Sequence, residues 1–383
     1  MAGVYVHIPF CRQACHYCDF HFSTQVKGVG DMVNSIVQEA RMRIRQDPSW
    51  KSQTYRTLYL GGGTPSLLST NQLRALIVGV QDALEFRVEE LEEFTLEANP
   101  EDLTRGNIQA WRDMGIQRLS VGVQSFDDPT LVWMNRAHTG QQALDGLSLA
   151  CELGITSISL DLIYGVPTNR NWAKDVETAL SLPIQHLSAY SLTVEPQTAL
   201  GTWVKKGVVR EVADELVREE YDHLCGAMNR AGWSHYETSN WAAPKKGEGH
   251  HLAVHNSAYW GGHAYLGLGP GAHGFDGSVR YANVSNNPRY IQAIKGQELS
   301  CEEEHLGVRD RYNESIMTGL RTARGIHPGE LKQAHGRSPA EDANWKRWVD
   351  LGVIVPGADG WHRIPETHWL TGDQVSSSLF WVE

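Results

Sequence analysis

Tyr5-Val6-His7-Ile8-Pro9-Phe10-Cys11-Arg12-Gln13-Ala14-Cys15-His16-Tyr17-Cys18 is a short β-forming run that ends in three thiols within eight residues. The C-x3-C-x2-C spacing sets an odd number of cysteines side by side, so they cannot all close as disulfides among themselves. They fall one ligand short of a four-thiolate shell, and a metal site with one open position is the direct reading. Two kinds of site fit. A cubane 4Fe-4S cluster normally takes four cysteinates, so three would leave one iron open to a small molecule. A zinc ion would instead be completed by a nitrogen ligand such as His16 or His21. A spacing acquires meaning from its surroundings, and here a strand would carry the thiols at its C-terminal end.

Outward from that strand, runs rich in β-formers recur at Val4 to Ile8, Thr57 to Leu60, Glu93 to Ala98, Arg118 to Gln124, Ser157 to Tyr164 and His186 to Leu192. Between them the periodicity predicts helices over Asp31 to Arg45, Asn71 to Ala83, Leu103 to Met114, Gln141 to Leu153 and Trp172 to Leu180. Six β-α units in this order imply a parallel sheet built from right-handed crossovers. Six rather than eight implies an α/β fold of the open, partial (β/α)6 barrel kind. In such barrels the functional groups gather at the C-terminal ends of the strands. Cys11, Cys15 and Cys18 follow strand one, Gly61-Gly62-Gly63-Thr64-Pro65 follows strand two, and Glu97 closes strand three. Gln124 closes strand four, and Asp161 precedes Tyr164-Gly165-Val166-Pro167 in strand five. Five consecutive strands thus aim polar or permissive groups at one rim.

The bulk properties narrow the function class. The 383 residues allow two or three domains, and 41% hydrophobic with 21% charged residues is ordinary for a soluble protein. A net charge of -11 argues against a broad nucleic-acid or anionic-membrane footprint. No apolar stretch is long enough for a membrane span, and the N-terminus lacks a signal-peptide pattern. The expectation is therefore a cytoplasmic protein with no nucleic-acid partner and no transmembrane segment. Cys151, Cys225 and Cys301 are far apart and are expected as buried free thiols.

Taken together, Tyr5-x-His7-Ile8-Pro9-Phe10-Cys11-x3-Cys15-x-Tyr17-Cys18-Asp19-Phe20, Gly61-Gly62-Gly63-Thr64-Pro65, Glu97-Ala98-Asn99-Pro100, Gly122-Val123-Gln124-Ser125-Phe126, Arg136-x-His138 and Asp161-Leu162-Ile163-Tyr164-Gly165-Val166-Pro167 resemble the coproporphyrinogen oxidase-like branch of the radical S-adenosylmethionine (SAM) superfamily, over essentially the whole chain. The resemblance implies a 4Fe-4S cluster on Cys11, Cys15 and Cys18, with SAM on the open iron and the hard chemistry carried by these cofactors. It implies a SAM pocket drawn from Tyr5, Tyr17, Gly62, Gly63, Thr64, Glu97, Gln124, Arg136 and Asp161. Within that pocket the glycines admit the ligand to the backbone, and Glu97 and Gln124 suit the ammonium and methionyl portion. Arg136 suits the carboxylate, and Asp161 the ribose.

The branch contains oxygen-independent coproporphyrinogen III oxidases and a group of heme chaperones, and three features favour the chaperones. Cys18 is followed by Asp19-Phe20 rather than a further cysteine, only ten residues precede Cys11, and His255-Asn256-Ser257-Ala258-Tyr259-Trp260 matches the H-N-x-x-Y-W signature of the chaperone group. This implies heme as cargo, acceptor hemoproteins as partners, an electron donor such as a flavodoxin or ferredoxin, and room for a homodimer and for slow SAM cleavage. His255 is the candidate heme ligand among 17 histidines, with His250, His251, His263 and His273 in reserve. Departures from the pattern are Asn135, where glycine is common, and Thr168-Asn169-Arg170. The oxidase reading, and that of a radical SAM modifier such as a methyltransferase, are the alternatives.

The β-α rhythm stops after strand six. A polar helix is expected from about Val212 to Ala231, then a glycine-crowded tract from Tyr259 to Phe275 read as extended chain and turns over the open side of the barrel. A last unit, with helices over Glu314 to Arg321, Trp345 to Leu351 and Asp373 to Phe380, reads as a small α+β winged-helix-like domain. Its lack of a dense basic cluster points to a lid or partner-docking module rather than DNA binding. The expected division is a radical SAM core over 1–235, a glycine-rich segment with the H-N-x-x-Y-W motif over 236–304, and the C-terminal domain over 305–383.

Overall fold

Alternation along the strands sets the layers of the computed structural model, which describes residues 2–382. Met1 and Glu383, the outer ends of the first and last expected units, lie outside the described residues. In β1 (Ala2–Ile8), β2 (Tyr55–Gly62), β3 (Glu93–Ala98), β4 (Arg118–Gln124), β5 (Ser157–Tyr164) and β6 (His186–Ser191), every second side chain is apolar and buried apart from Arg56, Gly62 and Ser191 at strand ends. Val4, Val6, Leu58, Leu60, Leu96, Leu119, Val121, Leu160 and Leu187 form this face, since side chains two apart share one side of a strand. It packs beneath α1 (Val29–Gln46), α2 (Thr70–Leu84), α3 (Arg105–Asp113), α5 (Gly140–Glu152) and α6 (Trp172–Ser181), while α4 (Asp128–Trp133) packs through Trp133 at the rim with Ile163 and Val166. All of these helices but α1 start where side chains cap their free N–H groups: Ser69 with Gln72, Thr139 with Gln142, and Thr104, Asp127 and Asn171 without a reciprocal partner.

The opposite face is polar. Tyr5 and His7, Thr57 and Tyr59, Thr95 and Glu97, Ser120 and Gly122, Ser159 and Asp161, and Ser188 and Tyr190 stand there. Tyr5, Tyr59, Glu97 and Asp161 are half-buried and Tyr190 is 46% exposed, although all lie within strands. The sheet therefore curls around a lumen that solvent enters. β1 to β6 pair in parallel in chain order, the six-unit arrangement that the sequence implies, and the barrel stays open.

Both edges of that sheet are extended. After α7 (Ala199–Lys205) and α8 (Asp214–Arg230), the chain adds β7 (Ser234–Glu237) and β8 (Asn240–Ala242), β8 pairing antiparallel with β6 and β7 antiparallel with β8 at the edge. The motif His255-Asn256-Ser257-Ala258-Tyr259-Trp260 lies on a helix, α9 (Val254–Trp260), and not on extended chain. The glycine-rich tract is likewise more regular than turns alone. β9 (Ala264–Leu268) pairs in parallel with β1, followed antiparallel by β10 (His273–Phe275), β11 (Val279–Asn283) and, after α10 (Asn287–Lys295), β12 (Cys301–His305). Glycine is needed here for contact between strands: a Cβ on Gly267 would sit 1.7 Å from the His273 carbonyl oxygen. Residues 236–304 thus share the barrel's sheet.

One buried network fastens this flank to α1. Glu39, fully buried, accepts from Asn283 Nδ2 at 2.7 Å, Gly269 N at 2.8 Å and Tyr290 OH at 2.5 Å, and pairs with Arg43 at 3.2 Å. The Arg43 guanidinium lies 3.7 Å over the Tyr281 ring and donates to Asn283 Oδ1 at 2.7 Å. Every charged or polar atom that burial would penalise is thereby matched.

The C-terminal unit has an apolar core of its own, with Tyr312, Ile316, Trp345, Ile354, Ile364 and Val375 at its centre. α11 (Val308–Leu320), α12 (Pro328–His335) and α13 (Ala343–Asp350) precede a two-stranded wing, β13 (Val355–Pro356) with β14 (His362–Arg363), and α14 (Gly372–Ser378) closes the unit. This is the winged-helix-like shape read from the sequence. Among the described residues no helix is long and apolar enough to cross a membrane. Cys151 is exposed rather than buried, because it lies on the outer side of α5.

Candidate functional site

The three cysteines sit in the loop after β1, at one end of the polar lumen, with their thiols free and half-buried. Contacts from the β4–α5 connection hold this loop. His16 N donates to Met134 O at 3.2 Å, and the His16 Nδ1 lies 2.7 Å from Trp133 O. His16 is therefore tied to the backbone on that side, while His21 Nε2 is engaged with Asn287 Oδ1 at 2.8 Å. Asn135 donates from Nδ2 to Ala14 O at 2.7 Å and accepts from Gln13 at 2.6 Å, with φ of 59°. Left-handed backbone explains why a glycine or asparagine belongs at 135, and its amide makes the departure useful. Arg170, the other departure, is buried against Glu220 at 3.1 Å and Asp175 at 3.5 Å behind the β5 loop.

The glycine turn lies against the cysteine-bearing chain. Gly63 N donates to Ile8 O at 2.9 Å and Thr64 N to Phe10 O at 2.7 Å, and a Cβ on Gly63 would come within 2.6 Å of Phe10 O. Thr64 Oγ1 then reaches Cys11 Sγ at 3.5 Å. Burial pushes the Cys11 thiol up against the pull of Thr64, and pushes Cys18 to about 12. Gly62 N donates to Glu97 Oε2 at 2.9 Å and Tyr59 OH to Glu97 Oε1 at 2.8 Å. Glu97 is nonetheless raised to about 7, first by burial and then by Asp161 across the lumen, with Tyr59 and Gly62 opposing.

Asp161 is raised to about 6 by burial, against the Ser188 and Ser120 hydroxyls and the charges of Arg118 and Arg136. Its Oδ1 is buried without a hydrogen-bond partner. An acceptor left open in a polar lumen is a place for a ligand hydroxyl or ammonium. Gln124, at φ 71° in the β4–β5 bulge, folds its amide back over Gly122. Arg136 is more committed than the sequence suggested: its fork donates to Cys15 Sγ at 3.3 Å, Asn99 Oδ1 at 2.9 Å and Gly122 O at 2.5 Å, which leaves only Nε unpartnered. It stands as a positive charge between the cysteine loop and β4. Tyr17 packs on Met134, Ile163 and Val166 at the rim, and Tyr5 OH lies 3.0 Å from His7 Nδ1.

His255 lies at the opposite end. The first N–H groups of α9, from Val254 and His255, donate to the Glu93 carboxylate at 2.8 and 3.1 Å, so a residue at the start of β3 caps this helix. The His255 ring stands beside Gly3, Thr57 and Tyr59, with Nδ1 2.6 Å from Thr57 Oγ1 and Nε2 2.8 Å from Tyr259 OH. Both nitrogens are thus occupied, and burial depresses the ring to about 3. Thr57 precedes Gly61 by four residues, about 13 Å of strand, so α9 sits at the base of the barrel against β1, β2 and β3, while the cysteines lie at its mouth. Iron ligation by His255 would require one of these bonds to break. The structure brings the cysteines, the glycine turn, Glu97, Gln124, Arg136 and Asp161 to one end, Tyr5 to the lumen wall, and leaves His255 at the other end.

Residues 5–179 match the radical SAM superfamily. Over 342 residues the chain is 34% identical to the heme chaperone HemW of Bacillus subtilis (strain 168), with 88% of each protein covered. The chain belongs to the HemW family. It is also 36% identical to radical S-adenosyl methionine domain-containing protein 1, mitochondrial, of Mus musculus, over 85% of this chain and 74% of that one. The solved structure of the radical SAM enzyme coproporphyrinogen III oxidase (HemN) of Escherichia coli superposes with a TM-score of 0.84 at 20% identity, covering 99% of this chain and 90% of that chain. At that identity the likeness establishes the fold, an α/β radical SAM barrel with helices outside a central parallel sheet. HemW membership agrees with the assignment carried by Asp19-Phe20 and His255 to Trp260.

Thr57, Tyr59, Ser120, Ser188 and Tyr190 also line the lumen of this HemW-family barrel and were not singled out from the sequence. The available signal was the polar half of the strand alternation, which amphipathic strands on a parallel sheet do not ordinarily show.

Proposed function

We propose that this chain is a heme chaperone on a radical SAM scaffold, binding heme and passing it to acceptor hemoproteins from a cytoplasmic location. The observation that supports this most is the 34% identity to the heme chaperone HemW of Bacillus subtilis across 88% of both proteins. Cys11, Cys15 and Cys18 are the proposed ligands of a 4Fe-4S cluster, and the free thiols at the barrel mouth fit it. Bound there, a cluster with SAM on its open iron supplies one-electron chemistry, for which an electron donor such as a flavodoxin or ferredoxin would be the partner.

The residues around that position have roles of their own. Thr64 and Arg136 donate toward Cys11 and Cys15 and steady negative charge on sulfur. Gly62 and Tyr59 fix the Glu97 carboxylate, which is offered to the SAM ammonium. Asp161, with its open acceptor, is offered to the ribose hydroxyls. Gln124 and the Gly62 to Thr64 backbone complete the pocket, while Tyr5 and Tyr17 wall it.

Because His255 is engaged at the barrel base, we place heme outside the lumen. His250, His251, His263 and His273 line the segment from β8 to β10, and none has a side-chain hydrogen bond among the described residues. A division into 1–235, 236–304 and 305–383 is retained only as functional labels for scaffold, heme-binding flank and docking module.

The deciding experiment is an anaerobic heme titration of the reconstituted protein beside a coproporphyrinogen III turnover assay on the same preparation. Tight heme binding without decarboxylation is expected. Protoporphyrinogen formation with weak heme binding would replace the chaperone by an oxidase.

A further inference from the structure

At the seam between the barrel and the C-terminal unit, three side chains with no part in the barrel mouth converge. Cys225 comes from α8, His235 from β7 and Glu366 from the 3-10 turn Glu366–Thr371 that leads into α14. Each presents one ligand atom to a common point, all within 4.8 Å of one another. His235 Nδ1 is hydrogen-bonded to Glu366 Oε1, and Cys225 Sγ lies 4.0 Å from the same nitrogen. The thiol and carboxylate share one ring nitrogen, so this is not a nucleophile and base relayed by an acid, which needs both nitrogens.

The proton count points to a cation. Nε2 of His235 faces Thr238 O at 3.3 Å and Nδ1 faces Glu366, so both nitrogens meet acceptors. A neutral ring carries one proton and satisfies one of them. A metal ion at Nδ1 replaces the missing proton, with Nε2–H held on a backbone carbonyl as outer support.

The surroundings are rigid and incomplete in the way such a site needs. The His235 ring stacks on Trp241 with centroids 3.8 Å apart and meets the edge of Trp369 at 4.2 Å. Asn229 Nδ2 donates to Glu366 Oε2 at 2.8 Å, which leaves Oε1 turned to the common point. The Tyr221 hydroxyl, on a residue 1% exposed, is buried with the Cys225 thiol beside it, and a metal-bound thiolate would be the stronger acceptor for it. The Glu366 side chain is 26% exposed and offers an entry path.

We propose that Cys225, His235 and Glu366 bind zinc, with water in the fourth position, and so fasten the C-terminal unit to α8 and β7. One sulfur, one imidazole nitrogen and one carboxylate oxygen suit zinc and exclude an oxygen-only calcium or magnesium site. A tetrahedral zinc holds sulfur and nitrogen about 3.5 Å apart, and the 4.0 Å spacing closes to that with a small side-chain adjustment.

The full-length chain, reconstituted with iron and sulfide, is equilibrated with one equivalent of zinc, desalted and examined by zinc X-ray absorption. The expected result is about one zinc per chain, with one sulfur at about 2.3 Å and nitrogen or oxygen at about 2.0 Å. C225S should remove the sulfur shell, and E366Q, which keeps the hydrogen bond to His235, should weaken zinc retention at least tenfold. Zinc should raise the thermal midpoint of the parent chain by a few degrees and leave E366Q unmoved. Three sulfurs around zinc would assign it to Cys11, Cys15 and Cys18 and overturn the proposal. Retention or a thermal shift that is equal in the parent, C225S and E366Q would do the same.

Discussion

Gly62 donates its backbone N–H to Glu97 Oε2 at 2.9 Å, which makes the glycine turn and the end of β3 one hydrogen-bonded unit at the barrel mouth. The glycine there does more than admit a ligand. It orients the carboxylate that the ligand would meet.

Glu97 sets the first prediction. Its carboxyl is raised to about 7, and a bound ammonium requires the ionised form. SAM affinity should therefore rise by about tenfold between pH 6 and pH 8, as the ionised fraction of such a group does. In Glu97→Gln the affinity should be lower and this rise should disappear. Calorimetric SAM titrations at the two pH values check it, and a parallel rise in both proteins would remove Glu97 from the pocket.

His255 sets a second, in stability rather than affinity and with the same direction in pH. Its ring is neutral in the fold and depressed to about 3, whereas in the unfolded chain it titrates near 6.5. The unfolded state then binds the extra proton, so stability is lost as pH falls below about 6.5. By pH 5 the loss from this one group amounts to about 2 kcal/mol. His255→Asn, whose amide can still face Thr57, should show a shallower decline in urea unfolding between pH 7 and pH 5.

Removing the Glu39 carboxylate leaves Arg43 buried and uncompensated and frees Asn283, Gly269 and Tyr290 at once. Glu39→Ala should cost about 3 to 5 kcal/mol, the usual penalty for breaking a buried pair from one side. Chemical denaturation of the parent and variant gives the figure, and a loss under 1 kcal/mol would mean that the flank is held by other contacts.

Asn135 separates backbone strain from side-chain bonding. Glycine keeps the φ of 59° but loses the bonds to Ala14 and Gln13, while valine loses both bonds and resists that backbone. Asn135→Val should be about 2 kcal/mol less stable than Asn135→Gly. Thermal midpoints order the three proteins, and iron retention after reconstitution should follow the same order.

Much of this was legible in the chain. The bounds of β3, β4 and β5 coincide with the runs Glu93 to Ala98, Arg118 to Gln124 and Ser157 to Tyr164, because parallel strands flanked by capped helices carry local signals at both ends. The convergence of Cys11, the glycine turn, Glu97, Gln124 and Asp161 followed from that register alone. The rest depended on distant partners. α9 draws its N-terminal cap from Glu93, 161 residues earlier for Val254, so nothing near His255 announces a helix. β9 is disguised by glycines that serve strand contact, and the commitment of Arg136 to Cys15, Asn99 and Gly122 is a matter of tertiary reach.

The stopped base of the barrel has a kinetic consequence. With α9 lodged against Gly3, Thr57 and Glu93, a molecule bound in the upper lumen does not leave past the lower ends of β1 to β3. Arrival and departure are then confined to the mouth and the open side of the barrel. A partner that covers both would lengthen the residence of everything beneath it, without touching the affinity of a single contact.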